Sequence, residues 1–375
     1  MTGQLRFRAA AALPGRMDLS VEEVEVSPPE SGEVLVEVLA SGICASDRHV
    51  MATGMNFGSS IGVVGPPIVL GHELAGRVAD VGPGVGSLQI GDRVVGASTP
   101  VCGHCRHCVA GFTNMCETFV NVVVKQRYRA AEWSATAMCG LGSFAEMAVV
   151  HESQLVRVHT SLPDDELALI GCAVVSGAGA VFNHGRIVPG STVAVIGCGG
   201  VGLAALQAAR ISGAVRIVAV DPSERKRALA AELGATDLVD PARSPVIAQV
   251  LDLTSGRGVS TAVEAYGSAA TIEQALAVTG MGGICVQIGT TPPGEQIRLQ
   301  PGTGERTFVS SAYGSGDVRR DIPRLVALAE AKRFDLASLV SANIPLASGP
   351  VTAAVTTPDP DAVRTIILPK SETSG

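Results

Sequence analysis

Thr192-Val193-Ala194-Val195-Ile196-Gly197-Cys198-Gly199-Gly200-Val201-Gly202 is the stretch that decides the fold. Its first five residues are a short apolar run rich in valine, and the glycines that follow open a helix at once, so it reads as strand, tight turn and helix. A lone G-x-G-x-x-G is a weak signal. Here a second strand, Val215 to Val220, follows and ends on an acid, Asp221. Gly197, Gly199, Gly200 and Gly202, with Val201 among them, allow the tight turn and the close approach of a pyrophosphate. The helix N-terminus stabilises the phosphate charge, and Asp221 accepts hydrogen bonds from ribose hydroxyls. The stretch therefore predicts a dinucleotide. NAD is expected over NADP, because Asp221 would repel a 2′-phosphate, although Arg225 and Lys226 are close enough in sequence to swing toward one. The competing reading is a plain βα turn with a helix-capping aspartate.

Beyond this unit strands and helices alternate: a helix from Glu224 closed by Gly234, another from Val246, a strand through Val263, a helix from Ala269 and a strand Ile284 to Ile288. Such alternation implies an α/β fold with a doubly wound parallel sheet. Asp317 to Lys332 reads as one more helix, and Arg364 to Leu368 as a closing strand.

Upstream the texture differs. Val24 and Val26, then Val34, Val36 and Val38, alternate with polar residues on either side of Pro28-Pro29-Glu30-Ser31-Gly32, which predicts a half-buried hairpin over Val21 to Ala40. Gly76, Gly82, Gly84, Gly86 and Gly91 punctuate short segments suited to a small antiparallel β barrel. Residues 117–143, with the only tryptophan at 133, show neither period and read as a long loop over that barrel.

Two groups of metal-ligand residues lie in this half. Cys44, Ser46, Asp47 and His49 crowd into Gly42 to His49, and His72-Glu73 and Cys172 offer further donors of the types a zinc with one open position takes. Taken alone, Cys44 and Cys172 also suit two small buried apolar side chains. Cys102, Cys105, Cys108 and Cys116 are the stronger signal, since four thiols within one short segment predict a closed, structural zinc site. A bacterial ferredoxin run opens with the same C-x-x-C-x-x-C spacing but continues C-x3-C-P; here the fourth cysteine is farther on and Glu117 follows it. His104 and His107 then read as solvated loop residues.

Composition sets outer bounds. At 375 residues the default is two domains, and a 46% hydrophobic, 17% charged, 3% aromatic chain excludes disorder. A net charge of −7 argues against nucleic acid or an anionic membrane surface as partner and favours a small molecule. The run Val193 to Ala205 is too short and too glycine-rich to span a bilayer. The first residues lack the apolar stretch of a signal peptide, so a cytoplasmic location is expected, where the nine cysteines would be ligands or buried thiols.

With the Cys44 motif, Gly71-His72-Glu73, the four-cysteine lobe, Cys172 and the glycine-rich turn in this order, the chain resembles zinc-dependent medium-chain alcohol dehydrogenases along nearly its whole length. The resemblance implies a GroES-like β-barrel catalytic domain from residues 1–174 and 313–375, with a structural zinc lobe at 102–116, and a Rossmann domain at 175–312. It implies Cys44, His72 and Cys172 as catalytic zinc ligands, Glu73 as a carboxylate able to approach the metal and Asp47 as the partner of His72. Ser46 resembles the hydroxyl that takes the alcohol proton, and His49 the end of the relay. Ser176 falls where the family packs against nicotinamide, and Arg364 near the cofactor phosphates. Ala45 departs from the Arg or His that many relatives carry for the pyrophosphate.

The implied activity is reversible oxidation of an alcohol by hydride transfer to NAD, with two zincs per chain in a homodimer or homotetramer. Ser98, Met138, Cys139, Thr290 and Ala312 would form a pocket wall of small residues suited to a medium-chain, terpenoid or aromatic alcohol. Nicotinoproteins and thiol-adduct formaldehyde dehydrogenases share the family. Outside the enzymes, a redox-sensing dinucleotide-binding protein could keep the same fold.

Overall fold

A computed structural model describes residues 4–53, 65–118, 122–292, 294–299 and 304–370, so the first three and last five residues of the predicted catalytic domain lie outside the described residues. In chain order the first half supplies β1 (Leu5–Ala12), β2 (Leu19–Val26), β3 (Glu33–Gly42), β4 (Ile68–Val69), β5 (Glu73–Val81), β6 (Arg93–Gly96), β7 (Gln126–Arg129), β8 (Ser134–Ala137), β9 (Met147–His151) and β10 (Leu155–Arg157). The parallel unit follows with β11 (Thr192–Ile196), β12 (Arg216–Val220), β13 (Asp237–Val239), β14 (Val259–Glu264), β15 (Thr279–Gln287) and β16 (Thr307–Ser310). The chain then ends on β17 (Val340–Pro345) and β18 (Arg364–Leu368).

The parallel sheet runs β13-β12-β11-β14-β15-β16. This is the dinucleotide-binding order, with its switch point between β11 and β14, at the C-terminal ends of which ligands bind. After Thr192, β11 is apolar because both its faces are covered: Val193 and Val195 enter one core cluster, Ala194 and Ile196 another.

β1, β2, β7, β8 and β4 close a small barrel, and β10-β6-β5-β3-β18-β17 with β9 form a second sheet beside it. Two expectations change here. β2 and β3 are not a hairpin: β2 pairs with β1 and β7, while β3 pairs with β5, β9 and β18. Alternation reports half-burial and does not name the partner, and the Pro28–Gly32 loop instead packs on Pro83 through a Gly32 N–H to Pro83 O bond of 2.9 Å. Residues 117–143 are not a plain loop, because β7 and β8 lie inside them and close the barrel. Strands of four residues are too short to show a period. Trp133 packs with the barrel core, its Nε1 3.5 Å from Glu22.

Among the described residues one helix, Asp164–His184, is long and apolar enough to cross a membrane, but 78% of its most apolar window is buried inside the protein. It is the central core helix, entered through Asp164, Asp165 and Glu166, whose charges suit its N-terminus. A Cβ at Gly177 would collide with Val201 O, so this glycine lets the helix Gly200–Ile211 pack tightly against it. Gln207 on that helix exchanges hydrogen bonds with Asp335, donating to its carbonyl at 2.9 Å and accepting from its N–H at 2.7 Å, which ties the parallel unit to the C-terminal segment.

Candidate active site

β3 delivers Cys44, and its last residue Gly42 pairs with Glu73 at the start of β5. Gly42 must be glycine, because a Cβ there would overlap the Glu73 carboxylate. The helix Ala45–Thr53 follows, and its fully buried Asp47 accepts from Cys44 N at 2.8 Å and from Gly71 N at 3.1 Å. One carboxylate thus joins the two segments that carry Cys44 and His72, and its Oδ1 lies 3.4 Å from His72 Nδ1. Cys172 arrives from the core helix, in a π-helical turn at Ile170–Val174 of the kind often found at functional sites.

Donor atoms of Cys44, His72, Glu73 and Cys172 all lie within 4.8 Å of one another. Four ligands at about 2.3 Å around a tetrahedral ion are separated by about 3.7 Å, so the cluster fits one metal of zinc's size. His72 Nδ1 faces Asp47 and Glu73 Oε1 faces Arg364, while Glu73 Oε2 is buried without a hydrogen-bond partner, a cost that a cation would offset.

Electrostatics agree with a cation site. The hydrogen bond from Cys172 holds the Cys44 thiol well below its usual range against the effect of burial, with Arg364 assisting, and the same bond and burial raise Cys172. Burial would push His72 down, but the Asp47 carboxylate overrides it and raises the imidazole well above its usual range. Burial pushes Glu73 up to about 7, with Arg364 opposing.

Ser46 Oγ lies 3.7 Å from Cys44 Sγ, and half-buried His49 follows at i+3 on the same helix face. Ser176 is buried one turn after Cys172. Arg364 does more than its expected place implies: its Nε is 3.4 Å from Glu73 Oε1, its Nη2 is 3.8 Å from Cys44 Sγ, and a Cβ at Gly200 would meet its Cζ at 2.9 Å. It bridges the thiolate cluster and the glycine-rich turn.

In that turn Gly197 has φ +93°, Gly199 opens onto free space where a Cβ would touch nothing, and a Cβ at Gly202 would strike Gly197 O. These are a tight bend, a cradle for a ligand and a close helix–strand contact. Val201 and Gly200 start the helix. Buried Asp221 accepts from Cys198 N at 2.8 Å and Ser223 N at 2.9 Å, leaving each oxygen a lone pair for a ribose hydroxyl. Lys226 is half-buried nearby, its N–H capped by Ser223 Oγ at 3.1 Å.

The second cluster gathers Cys102, Cys105, Cys108 and Cys116, again with sulfurs within 4.8 Å. Backbone N–H groups point at the sulfurs: Cys102 N at Cys116 (3.4 Å), Cys105 N at Cys102 (3.3 Å) and Cys108 N at Cys105 (3.5 Å). For Cys102, desolvation is outweighed by N–H groups of His104 and Cys105, which bring the thiol down to about 5. His104 turns to Cys102 O and His107 lies 3.9 Å from Glu117, so neither joins the sulfurs.

Of the expected pocket wall, Ser98, Met138 and Cys139 are buried while Thr290 and Ala312 are exposed. Tyr313 has no signal in the sequence. Its hydroxyl accepts from Ser98 N at 2.9 Å.

Residues 30–160 match the family described as "Alcohol dehydrogenase GroES-like domain", and residues 200–331 match "Zinc-binding dehydrogenase". An alcohol dehydrogenase zinc-binding domain protein from Burkholderia ambifaria is 31% identical with a TM-score of 0.90, over 98% of this chain and 100% of that one. Benzyl alcohol dehydrogenase from Acinetobacter calcoaceticus is 29% identical with a TM-score of 0.88, over 97% and 99%. A zinc-binding dehydrogenase from Sinorhizobium meliloti bound to NADP is 27% identical with a TM-score of 0.80, over 98% and 100%. Sequence and fold agree along the whole chain, which belongs to the zinc-dependent alcohol dehydrogenases of the medium-chain dehydrogenase/reductase family.

Proposed function

We propose that this chain is an NAD-dependent alcohol dehydrogenase that reversibly converts a primary or secondary alcohol to an aldehyde or ketone. The convergence of Cys44, His72, Glu73 and Cys172 beside the glycine-rich turn carries this reading. Residues 1–174 and 313–375 supply the chemistry and 175–312 hold the cofactor. A zinc held by Cys44, His72 and Cys172, with Glu73 in reach, would supply Lewis-acid polarisation that lowers the pKa of an alcohol. Bound NAD would supply the hydride acceptor. Ser46 takes the proton leaving the alcohol and His49 passes it outward, while Ser176 packs against the nicotinamide. Arg364 places its charge where the pyrophosphate meets Gly200, in compensation for Ala45. A second zinc at Cys102, Cys105, Cys108 and Cys116 is structural. The chain would act as a homodimer or homotetramer.

Screening alcohols with NAD, with and without an artificial electron acceptor, tests the reading. NADH formation without the acceptor supports it. Turnover only with the acceptor would mark a cofactor held through the cycle, and none in either arm would sink the enzyme assignment.

Asp221 makes the cofactor preference testable. Wild-type protein should bind NAD more tightly than NADP, and Asp221→Ser should narrow the ratio by about tenfold or more, since one close charge repulsion is removed. Calorimetric titration of both cofactors measures this; a wild-type preference for NADP would show that Arg225 and Lys226 prevail.

The substrate is expected to be larger than ethanol: a medium-chain, terpenoid or aromatic alcohol. Each added methylene should raise kcat/KM by up to about fourfold until the pocket is full, from about 0.8 kcal/mol per buried CH₂. Trp133 packs against the barrel cluster, which supports an open pocket. A series from ethanol to octanol, with benzyl alcohol and geraniol, gives the answer, and specificity constants that peak at ethanol would refute a large pocket.

A further inference from the structure

Tyr313 stands just after the last strand of the parallel sheet, in the left-handed region at φ +52°, with Gly314 at +75° and Ser315 at +53°. Two side-chain-bearing residues in that region persist only where the surroundings hold them. They are held from two directions. Asn114 Nδ2 donates to Ala312 O at 2.9 Å and Thr113 Oγ1 to Gly316 O at 3.2 Å, both from the four-cysteine lobe. Asn183 Nδ2 donates to Gly314 O at 2.8 Å from the core helix, and a Cβ at Gly314 would strike Val175 O on the same helix.

This backbone sends the Tyr313 phenol across to the catalytic half, where it accepts from Ser98 N at 2.9 Å and donates to Gly171 O. Gly171 O belongs to the peptide unit that carries the Cys172 nitrogen. The unit is wedged from the other side as well, since a Cβ at Gly171 would meet Gly96 O at 2.5 Å. It also lies in the π-helical turn, where the regular ladder is interrupted and an outside donor has most effect.

We propose that Tyr313 is a positioning residue for Cys172, and that the four-cysteine lobe, through Asn114 and Thr113, sets Tyr313 in turn. The closed metal site then steadies the open one through a named hydrogen-bonded route. The inference rests on the reading of Cys172 as a metal ligand.

The test uses full-length enzyme with cobalt(II) exchanged into the Cys44, His72 and Cys172 site and zinc left in the lobe. Tyr313→Phe keeps the ring and removes only the hydroxyl. It is expected to shift the thiolate–cobalt absorption, to speed metal release to a chelator about tenfold and to lower kcat about tenfold, with KM for NAD within twofold of wild type. Asn114→Ala, which leaves the phenol in place, should move the same absorption in the same direction by a smaller amount. A merely structural tyrosine would not move the absorption. Wild-type spectra and release rates in both variants would overturn the inference alone. If Tyr313→Phe does not fold, Asn114→Ala decides it in the same two ways. Absence of thiolate–cobalt absorption in exchanged wild-type protein would overturn the metal reading and this inference with it.

Discussion

Cys172→Ser is expected to abolish turnover in a protein that still folds, and Cys105→Ser to do the opposite first, by damaging the fold. Cys172 lies in a core helix whose packing rests on Leu167, Leu169, Ile170, Val174 and Ala178, all fully or nearly fully buried, and replacing sulfur by oxygen leaves that core intact. What is lost is one of two thiolate donors in an open site. The four-cysteine lobe has no such core. Val109, Phe112 and Met115 are exposed, and its buried side chains are Cys108, Thr113 and Cys116. A closed zinc site contributes folding free energy outright, apparent values being about 10–16 kcal/mol in zinc-finger peptides. Losing even a third of that would lower Tm by roughly 4–7 °C in a chain of this size. Metal analysis should give two zincs per chain in wild type and one in Cys172→Ser. Full activity with one zinc per chain, or a brown cluster, would sink the assignment of the two sites.

Local chemistry makes much of this site legible in the sequence. The β11 turn is written in contiguous residues, and its glycines fall where φ +93° at Gly197 and the close contact at Gly202 require them. The metal donors are legible for a different reason: side chains so costly to bury without a partner are informative even when far apart in sequence. Strand partners are not, because alternation in β2 and β3 records which side faces a core and says nothing about which sheet each joins. β7 and β8 leave no mark, since four residues carry too little period. Tyr313 and the second role of Arg364 depend on tertiary placement alone: one phenol crossing to Ser98 and Gly171, one guanidinium reaching from β18 to Glu73, Cys44 and Gly200.

Ser46→Ala should reduce kcat about 10²–10⁴-fold, the usual range for a positioned proton acceptor, while the Kd for NAD stays within about twofold. The hydroxyl lies 3.7 Å from Cys44 Sγ at the start of the helix Ala45–Thr53, beside the cluster that would polarise the alcohol. Ser46→Thr keeps the hydroxyl and should recover most of the rate, which separates proton transfer from packing. His49 stands one turn farther out and is half-buried, so water can take over part of its work, and His49→Gln should cost roughly tenfold. Because the two groups would act in series on one proton, their effects should not add. The double variant Ser46→Ala/His49→Gln should be hardly slower than Ser46→Ala alone, since a relay already cut at its first member has nothing to pass on. Steady-state rates and cofactor titrations on the four proteins decide it: turnover of Ser46→Ala within about threefold of wild type would remove the relay, and full additivity in the double variant would show two independent roles.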